Sequence, residues 1–394
     1  MISSIALRNH PSILTTPPAL SSVSDQDHIS KTTLSSILYY ITGHGFGHAV
    51  RSQQVIRALT GIQPELRIHV RTTAPEWIFE RSTRPIKYSR LAIDAGIVQT
   101  DSLHMELSET LAACRAIYAD PQDLIDAEVN YIQTNNIDLV LGDTPPLCFE
   151  IAAQAGIPSV SITNFTWDEI YRVYAKAHPE FTPYIKTMTQ SYRKASYALT
   201  LPYPCNSSMF PRRQPIPWIA RRSLLTKEQA RHTFALPQTA TIVLLSFGGL
   251  GLERLPWKTL ARQRNYFFVT TGIARNHEGN LLTLPARQSQ YVDLLRAADA
   301  IVTKPGYGIV ADVLSHRLPI LYTDRGEFAE YPRLVQALNE CATAEFIPQG
   351  ELLAGNLRPY ISRLLAKPVF WPEVDLNGAQ VAANKILSML RQSD

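Results

Sequence analysis

Ser36-Ile37-Leu38-Tyr39-Tyr40-Ile41-Thr42-Gly43-His44-Gly45-Phe46-Gly47-His48 is the stretch on which the fold turns. Seven residues, mostly apolar or aromatic, read as a buried strand. A glycine- and histidine-rich turn follows, and then a helical pattern over 49–59. The same alternation continues with a strand over 66–72, another over 137–143, a helix around 149–155 and a strand over 158–163. Short apolar runs alternating with helix-period segments mark βαβ units and a parallel sheet.

The pattern begins again further on. After the proline-rich stretch 203–217, which reads as a linker, strands are expected over 241–247, 266–270, 300–303 and 319–322. A helix is expected over 374–390. The expectation is an α/β protein of two parallel-sheet domains: a loosely attached extension over 1–35, an N-terminal domain over 36–205, a linker over 206–217 and a C-terminal domain over 218–370. Residues 371–394 form a closing helix able to pack back on the N-terminal domain. The 394 residues suit two such domains.

Composition narrows the function. Hydrophobic residues make up 45% and charged residues 18% of the chain, a globular balance. A net charge of +4 supplies no basic stripe for nucleic acid. The four cysteines are scattered with no Cys-x-x-Cys pair, so neither a disulfide framework nor a zinc site is expected, and a reducing cytoplasm is the natural setting. No apolar run approaches the ~20 residues that cross a bilayer. Residues 1–35 lack the continuous apolar core of a secretory leader.

In open parallel sheets ligands bind beyond the carboxyl ends of the strands. Gly43, His44, Gly45 and His48 stand at such an end. The glycines admit a tight turn, and His48, opening a helix, can serve as general base for an acceptor hydroxyl. A metal held by His44 and His48 lacks a third ligand nearby. Asp143 ends another strand, where it can orient a histidine, bind a hydroxyl or cap the next helix. Asn164, Trp167 and Asp168 follow a further strand, with the polar and aromatic mixture of a sugar-binding loop or of a packed turn. In the second half, Gly248 and Gly249 resemble a phosphate-cradling turn. Lys304, Gly306, Tyr307 and Gly308 lead into a helix whose first amides suit an anion, and Asp312 lies in its early turns. Arg325, Glu327 and Glu330 concentrate charge after the next strand.

The stretches 40–48 and 303–310 closely resemble the glycosyltransferase-like region of plant L-arabinokinases and its stand-alone bacterial relatives. The segments 71–75, 142–146, 164–168, 246–249 and 325–331 resemble it too, in order, over roughly 36–390. More distantly the chain is similar to the peptidoglycan N-acetylglucosaminyltransferase. The resemblance implies a GT-B architecture, two Rossmann-like domains facing a cleft, and a nucleotide-sugar donor with UDP the expected nucleotide. It implies inverting transfer without a metal or bound cofactor, the donor on the C-terminal half and an unspecified acceptor on the N-terminal half.

His48 matches the histidine that ends the family's first glycine loop. Asp312 stands where relatives carry a ribose-binding glutamate, one methylene shorter. The serine-rich phosphate loop of the plant kinases' separate domain does not occur, so sugar kinase activity is not expected. Two other readings remain at this level: a non-catalytic nucleotide-sugar sensor, and an NADP-dependent oxidoreductase suggested by Gly43-x-Gly45-x-x-His48. No nucleic-acid partner is expected, and oligomeric state is open.

Overall fold

The computed structural model describes residues 35–80, 85–100, 105–248, 255–272, 274–285 and 290–391. The extension expected over 1–35 therefore lies outside the described residues except for its last position, and so does Gly249.

The first sheet contains β1 (Ser36–Ile41), β2 (Arg67–Thr72), β3 (Lys87–Arg90), β4 (Leu139–Asp143), β5 (Ser159–Thr163), β6 (Tyr197–Thr200) and β7 (Arg213–Pro215). Its order is β3-β2-β1-β4-β5-β6-β7, parallel throughout. The second contains β8 (Ile242–Ser246), β9 (Phe267–Gly272), β10 (Asn276–Glu278), β11 (Leu281–Pro285), β12 (Ala300–Thr303), β13 (Ile320–Tyr322) and β14 (Ala344–Phe346). Its order is β10-β11-β9-β8-β12-β13-β14, and only the edge pair β10 and β11 is antiparallel.

With β10 and β7 set aside as edge additions, the two sheets have the same winding. The first strand of each half lies in the middle, the second and third to one side, the fourth to sixth to the other. This is the dinucleotide-fold order 3-2-1-4-5-6, whose direction reverses between strands one and four. The reversal opens a crevice between β1 and β4 in the first half and between β8 and β12 in the second. Ligand chemistry is expected at both places.

Several of the strands missed by sequence reading are short or polar. β3 is Lys-Tyr-Ser-Arg, and β7 lies inside the stretch read as a linker. Proline can sit in β7 because an edge strand need not donate on its outer side. The central strands are buried on both faces, as parallel strands covered by helices must be. Ile37, Tyr39 and Ile41 enter one core, and Leu38 and Tyr40 enter another on the opposite face. The first of these cores runs without a break into the C-terminal half through Ile216, Trp218, Leu244, Val310 and Ile386. Helix Gly378–Leu390 closes it by packing on helix Phe46–Ile62. No helix among the described residues is long and apolar enough to cross a membrane.

Gly43 illustrates how tightly the first turn is drawn. A Cβ at this position would lie 1.7 Å from Thr73 Oγ1, so any larger residue would have to push that side chain aside. Gly45, with φ of 70°, makes the left-handed step that starts the helix.

Candidate active site

The crevice between β1 and β4 is filled by a buried charged cluster. Helix Phe46–Ile62 begins directly after the glycine turn, so His48 falls in its first turn. Arg51 and Ser52 follow at i+3 and i+4, on the same face. All three reach Asp143, the last residue of β4. His48 Nδ1 lies 2.8 Å from Asp143 Oδ1, Arg51 Nε donates to Oδ2 at 2.7 Å and Ser52 Oγ donates to Oδ2 at 2.8 Å. Arg51 Nη2 also donates to Oδ1. A carboxylate oxygen only accepts, so His48 carries its proton on Nδ1, and Nε2 holds the lone pair. Arg51 Nη2 donates to Oδ1 and lies 3.0 Å from the same ring nitrogen.

Burial acts to raise the Asp143 carboxyl. The charges of Arg51 and His48 and their hydrogen bonds outweigh it, holding Asp143 well below the usual carboxylate range. For His48, burial and then the Arg51 charge favour the neutral ring, against Asp143 and Glu330. His44 is driven further in the same direction, by burial first and then by the charges of Arg325, His48 and Lys304. Both imidazoles thus favour the neutral form more strongly than an unperturbed imidazole, with pKa of about 6.5, does. The folded protein then binds fewer protons at these rings than the unfolded chain. Their contribution to stability falls as pH drops from about 6.5 toward the lowered values. Carbon-detected titration of the ring signals should find both midpoints below the ordinary imidazole value of about 6.5; ordinary midpoints would contradict this electrostatic picture.

Thr144, next to Asp143, has φ of 113°, a costly conformation for a β-branched residue. Its neighbours hold it there. Thr144 Oγ1 lies 3.2 Å from His48 Nδ1, and its carbonyl accepts from Tyr192 at 2.6 Å.

From the cluster a chain of hydrogen bonds crosses to the second half. Arg51 Nη1 donates to Asn164 Oδ1 at 2.6 Å, and Asn164 Nδ2 donates to Glu330 Oε1 at 2.6 Å. Arg325 Nη1 donates to Glu330 Oε2 at 2.6 Å. The Arg51 guanidinium also lies over the Tyr307 ring, 5.3 Å from its centroid. The seam between the halves is therefore closed around the dyad. A surface cavity of about 430 Å³, lined by Glu169, Arg172, Arg193 and Asn206 among others, does not include His48 or Asp143.

On the C-terminal side, Lys304, Pro305 and Gly306 follow β12, and helix Tyr307–His316 begins with Gly306 as a cap that offers no side-chain bond. Its first amides are thus unclaimed by a capping side chain. A Cβ on Gly308 would lie 3.6 Å from Gly47 Cα, so this helix start abuts the helix start that carries His48. Arg325, after β13, stacks on Phe328 at 3.9 Å and leaves its buried Nε unpartnered. Gly248 is exposed, with φ of 74°, at the end of β8, and Glu327 is exposed after β13.

Four expected contacts are placed differently. Asp312 is 2% exposed, and its carboxylate is occupied by the Arg221 main-chain N–H at 2.9 Å and by the Arg221 guanidinium. It offers no free oxygen to a ribose in this arrangement. Trp167 is wholly buried and spends its indole N–H on Asp94, because helix Trp167–Tyr174 turns its aromatic face inward. Asp168, also wholly buried, accepts from Arg172 at 3.1 Å and Thr189 at 2.7 Å. Tyr307 is sandwiched between Trp218, stacked at 4.9 Å, and Arg51, so it packs the seam and does not line an open surface.

Sequence reasoning missed Arg51, Thr144, Asp94 and Arg221. Arg51 alone carried a local signal, its i+3 spacing from His48. Among the described residues no group of three or more His, Cys, Asp or Glu is placed to hold a metal.

Two parallel sheets wound alike, with site residues beyond the carboxyl ends of both, define a GT-B protein. The family model described as "Glycosyl transferase family 1" matches residues 35–327, and the chain belongs to that family. It is 29% identical over 355 residues to an L-arabinokinase of Arabidopsis thaliana, covering 88% of this chain and 33% of that protein. The chain thus spans about a third of that relative's length. Among solved structures it is similar to the calicheamicin glycosyltransferase CalG4, with a TM-score of 0.56, 14% identity, and coverage of 92% of this chain and 95% of that one. It is similar to Acinetobacter baumannii MurG at a TM-score of 0.53 and 13% identity, covering 91% and 99%. Medicago truncatula UGT71G1 complexed with UDP-glucose matches at 0.56 and 14%, covering 91% and 94%. The family assignment leaves no support for the oxidoreductase reading.

Proposed function

We propose that this protein transfers a glycosyl group from a nucleoside-diphosphate sugar, with UDP as the nucleotide, to an acceptor hydroxyl, inverting the anomeric carbon without a bound metal. One observation carries the reading. The His48–Asp143 pair at the switch point of one sheet meets, across the seam, the uncapped start of helix Tyr307–His316 at the switch point of the other.

In this mechanism His48 Nε2 takes the proton of the acceptor hydroxyl, whose oxygen attacks the anomeric carbon. The bond from that carbon to the diphosphate oxygen breaks, and its electron pair leaves with UDP. Asp143 holds the imidazole by Nδ1 and stabilises the imidazolium that forms. The first amides of helix Tyr307–His316, with Lys304 and Arg325, stabilise the charge growing on the diphosphate. Because Glu330, Asn164 and Tyr307 close the seam, the donor's entry requires the halves to part, and their return excludes competing water.

Support for UDP comes from the similarity to UGT71G1, solved with UDP-glucose. The kinase activity in the name of the Arabidopsis relative is not part of this proposal. A thermal-shift series with UDP, UDP-glucose and NADPH tests the reading. UDP at a hundredfold excess over its Kd should stabilise the fold by about 2.7 kcal/mol. No response to UDP or UDP-glucose sinks the UDP-sugar transferase, whereas donor binding with no transfer or hydrolysis favours a sensor.

A further inference from the structure

Next to the dyad lies a second polar pair with no role in the mechanism above. The segment 93–97, beyond the end of β3, wraps around His44. Ile97 N–H donates to His44 Nδ1 at 3.4 Å, and Gly96 packs against the same ring. Helix Trp167–Tyr174 pins the segment from behind: Trp167 Nε1 donates to Asp94 Oδ2 at 2.7 Å, and the Tyr171 hydroxyl donates to the Gly96 carbonyl. Asp94 and His44 nonetheless each keep part of their surface open, unlike Asp143, Trp167 and Asp168.

Their hydrogen-bonding capacities are complementary. His44 Nδ1 accepts from the backbone, so the proton of the neutral ring sits on Nε2, and that nitrogen is a donor. An ionised carboxylate has about four acceptor positions. Burial raises the Asp94 carboxyl to about 6, so at pH 7 it is largely ionised; Trp167 and Thr42 take two of its positions, and the others are open among the described residues. The two residues meet at Thr42, whose hydroxyl accepts from the His44 main-chain N–H at 3.3 Å and also bonds the Asp94 carboxylate; a hydroxyl, which both gives and receives, can answer a donor and an acceptor together.

The pair also shares its surroundings with the dyad. The His44 ring is edge-on to Trp167 at 5.3 Å and parallel to Phe328 of the second half at 6.4 Å. His48 is edge-on to Phe165 at 5.4 Å, and Phe165 meets Trp167 at 5.2 Å and Phe328 at 5.9 Å. Both imidazoles therefore border one aromatic cluster at the seam.

We infer that the acceptor is a polyhydroxylated, sugar-type molecule. One of its hydroxyls gives up its proton to His48, while a neighbouring hydroxyl donates to Asp94 and accepts from His44 Nε2. The inference rests on the glycosyl-transfer reading above. An acceptor with a single hydroxyl, such as a phenol or a fatty alcohol, would cover the Asp94 carboxylate without satisfying it, at the cost of an unpaired buried acceptor.

The test uses the whole chain, saturation-transfer NMR with D-galactose and D-xylose in the presence of UDP, and propanol as the single-hydroxyl control. Saturation of the sugar protons but not of propanol is expected in the wild type. Asp94→Asn, which keeps an oxygen for Trp167, should weaken sugar binding about tenfold or more, the scale of a hydrogen bond to a charged group. The UDP thermal shift should be unchanged. Should Asp94→Asn fail to fold, His44→Phe preserves the ring contacts while removing the donor, and a several-fold loss is expected there too. If UDP binds but neither sugar does, or if both variants bind sugar like the wild type, the polyol acceptor is wrong and the transferase survives. If UDP itself fails to bind, the transferase reading falls and this inference with it.

Discussion

Arg51→Leu is expected to destabilise the protein by about 3–5 kcal/mol, the loss seen when one member of a buried ion pair is removed. Asp143 is wholly buried and Arg51 is 3% exposed, so water cannot replace the missing guanidinium. Without it, the Asp143 carboxylate keeps, among the described residues, His48 and the hydroxyls of Ser52 and Thr144. Asn164 also loses the donor to its Oδ1, which loosens the bond it carries to Glu330.

Urea unfolding at pH 7 measures the effect as a lower midpoint with an unchanged slope. A loss under about 1 kcal/mol would mean that the cluster is solvated enough for Arg51 to be dispensable. A second readout separates electrostatics from packing. The Arg51 charge lowers the His48 pKa and the Asp143 charge raises it, so removing Arg51 should move the His48 midpoint upward. A mere packing defect would leave it in place.

His48→Ala is expected to cut transfer about 10²–10⁴-fold, the usual contribution of a positioned general base. Donor binding should persist, because the diphosphate is assigned to the helix start at Tyr307, Lys304 and Arg325. The measurements are UDP release in the presence of acceptor and the UDP thermal shift of the same variant. Undiminished transfer would remove His48 from the reaction. Loss of the UDP shift together with transfer would instead make His48 part of the donor's binding surface. In the wild type, the acid limb of the rate profile should lie below pH 6.5, since a base at His48, as proposed, works deprotonated and burial with the Arg51 charge lowers its pKa.

Much of the candidate site's placement at strand ends could be read without coordinates, and the reason is local. His48, Asp143, Lys304, Gly306 and Arg325 all lie within seven residues of a strand's carboxyl end. Strand ends are visible because apolar runs stop at glycine, proline or charge. In a parallel sheet all such ends emerge on the same edge, so residues far apart in the chain can be expected to meet. Residues lost from that picture are those whose local pattern has two outcomes. Trp167 and Asp168 carry the letters of a sugar-binding loop, yet the helix they open is rotated so that both face inward. Asp312 sits early in a helix, as a ribose ligand would, but its carboxylate goes to Arg221, 91 residues away. Tyr307 follows Gly306 into the same helix, and Trp218 with Arg51 closes over its ring.

The chain's own order of residues determined the twice-repeated strand–turn–helix course, the glycines at the turns and the placing of histidine and carboxylate beyond strand ends. Periodicity and turn chemistry act over a few residues and need no partner. Only the tertiary structure decided which charge meets which. Arg51 finds Asp143 across 92 positions, and Asn164 finds Glu330 across 166. Pairing of this kind follows from how helices rotate on their sheets and how the halves close, since a buried ion takes whichever counter-charge the packing brings within reach.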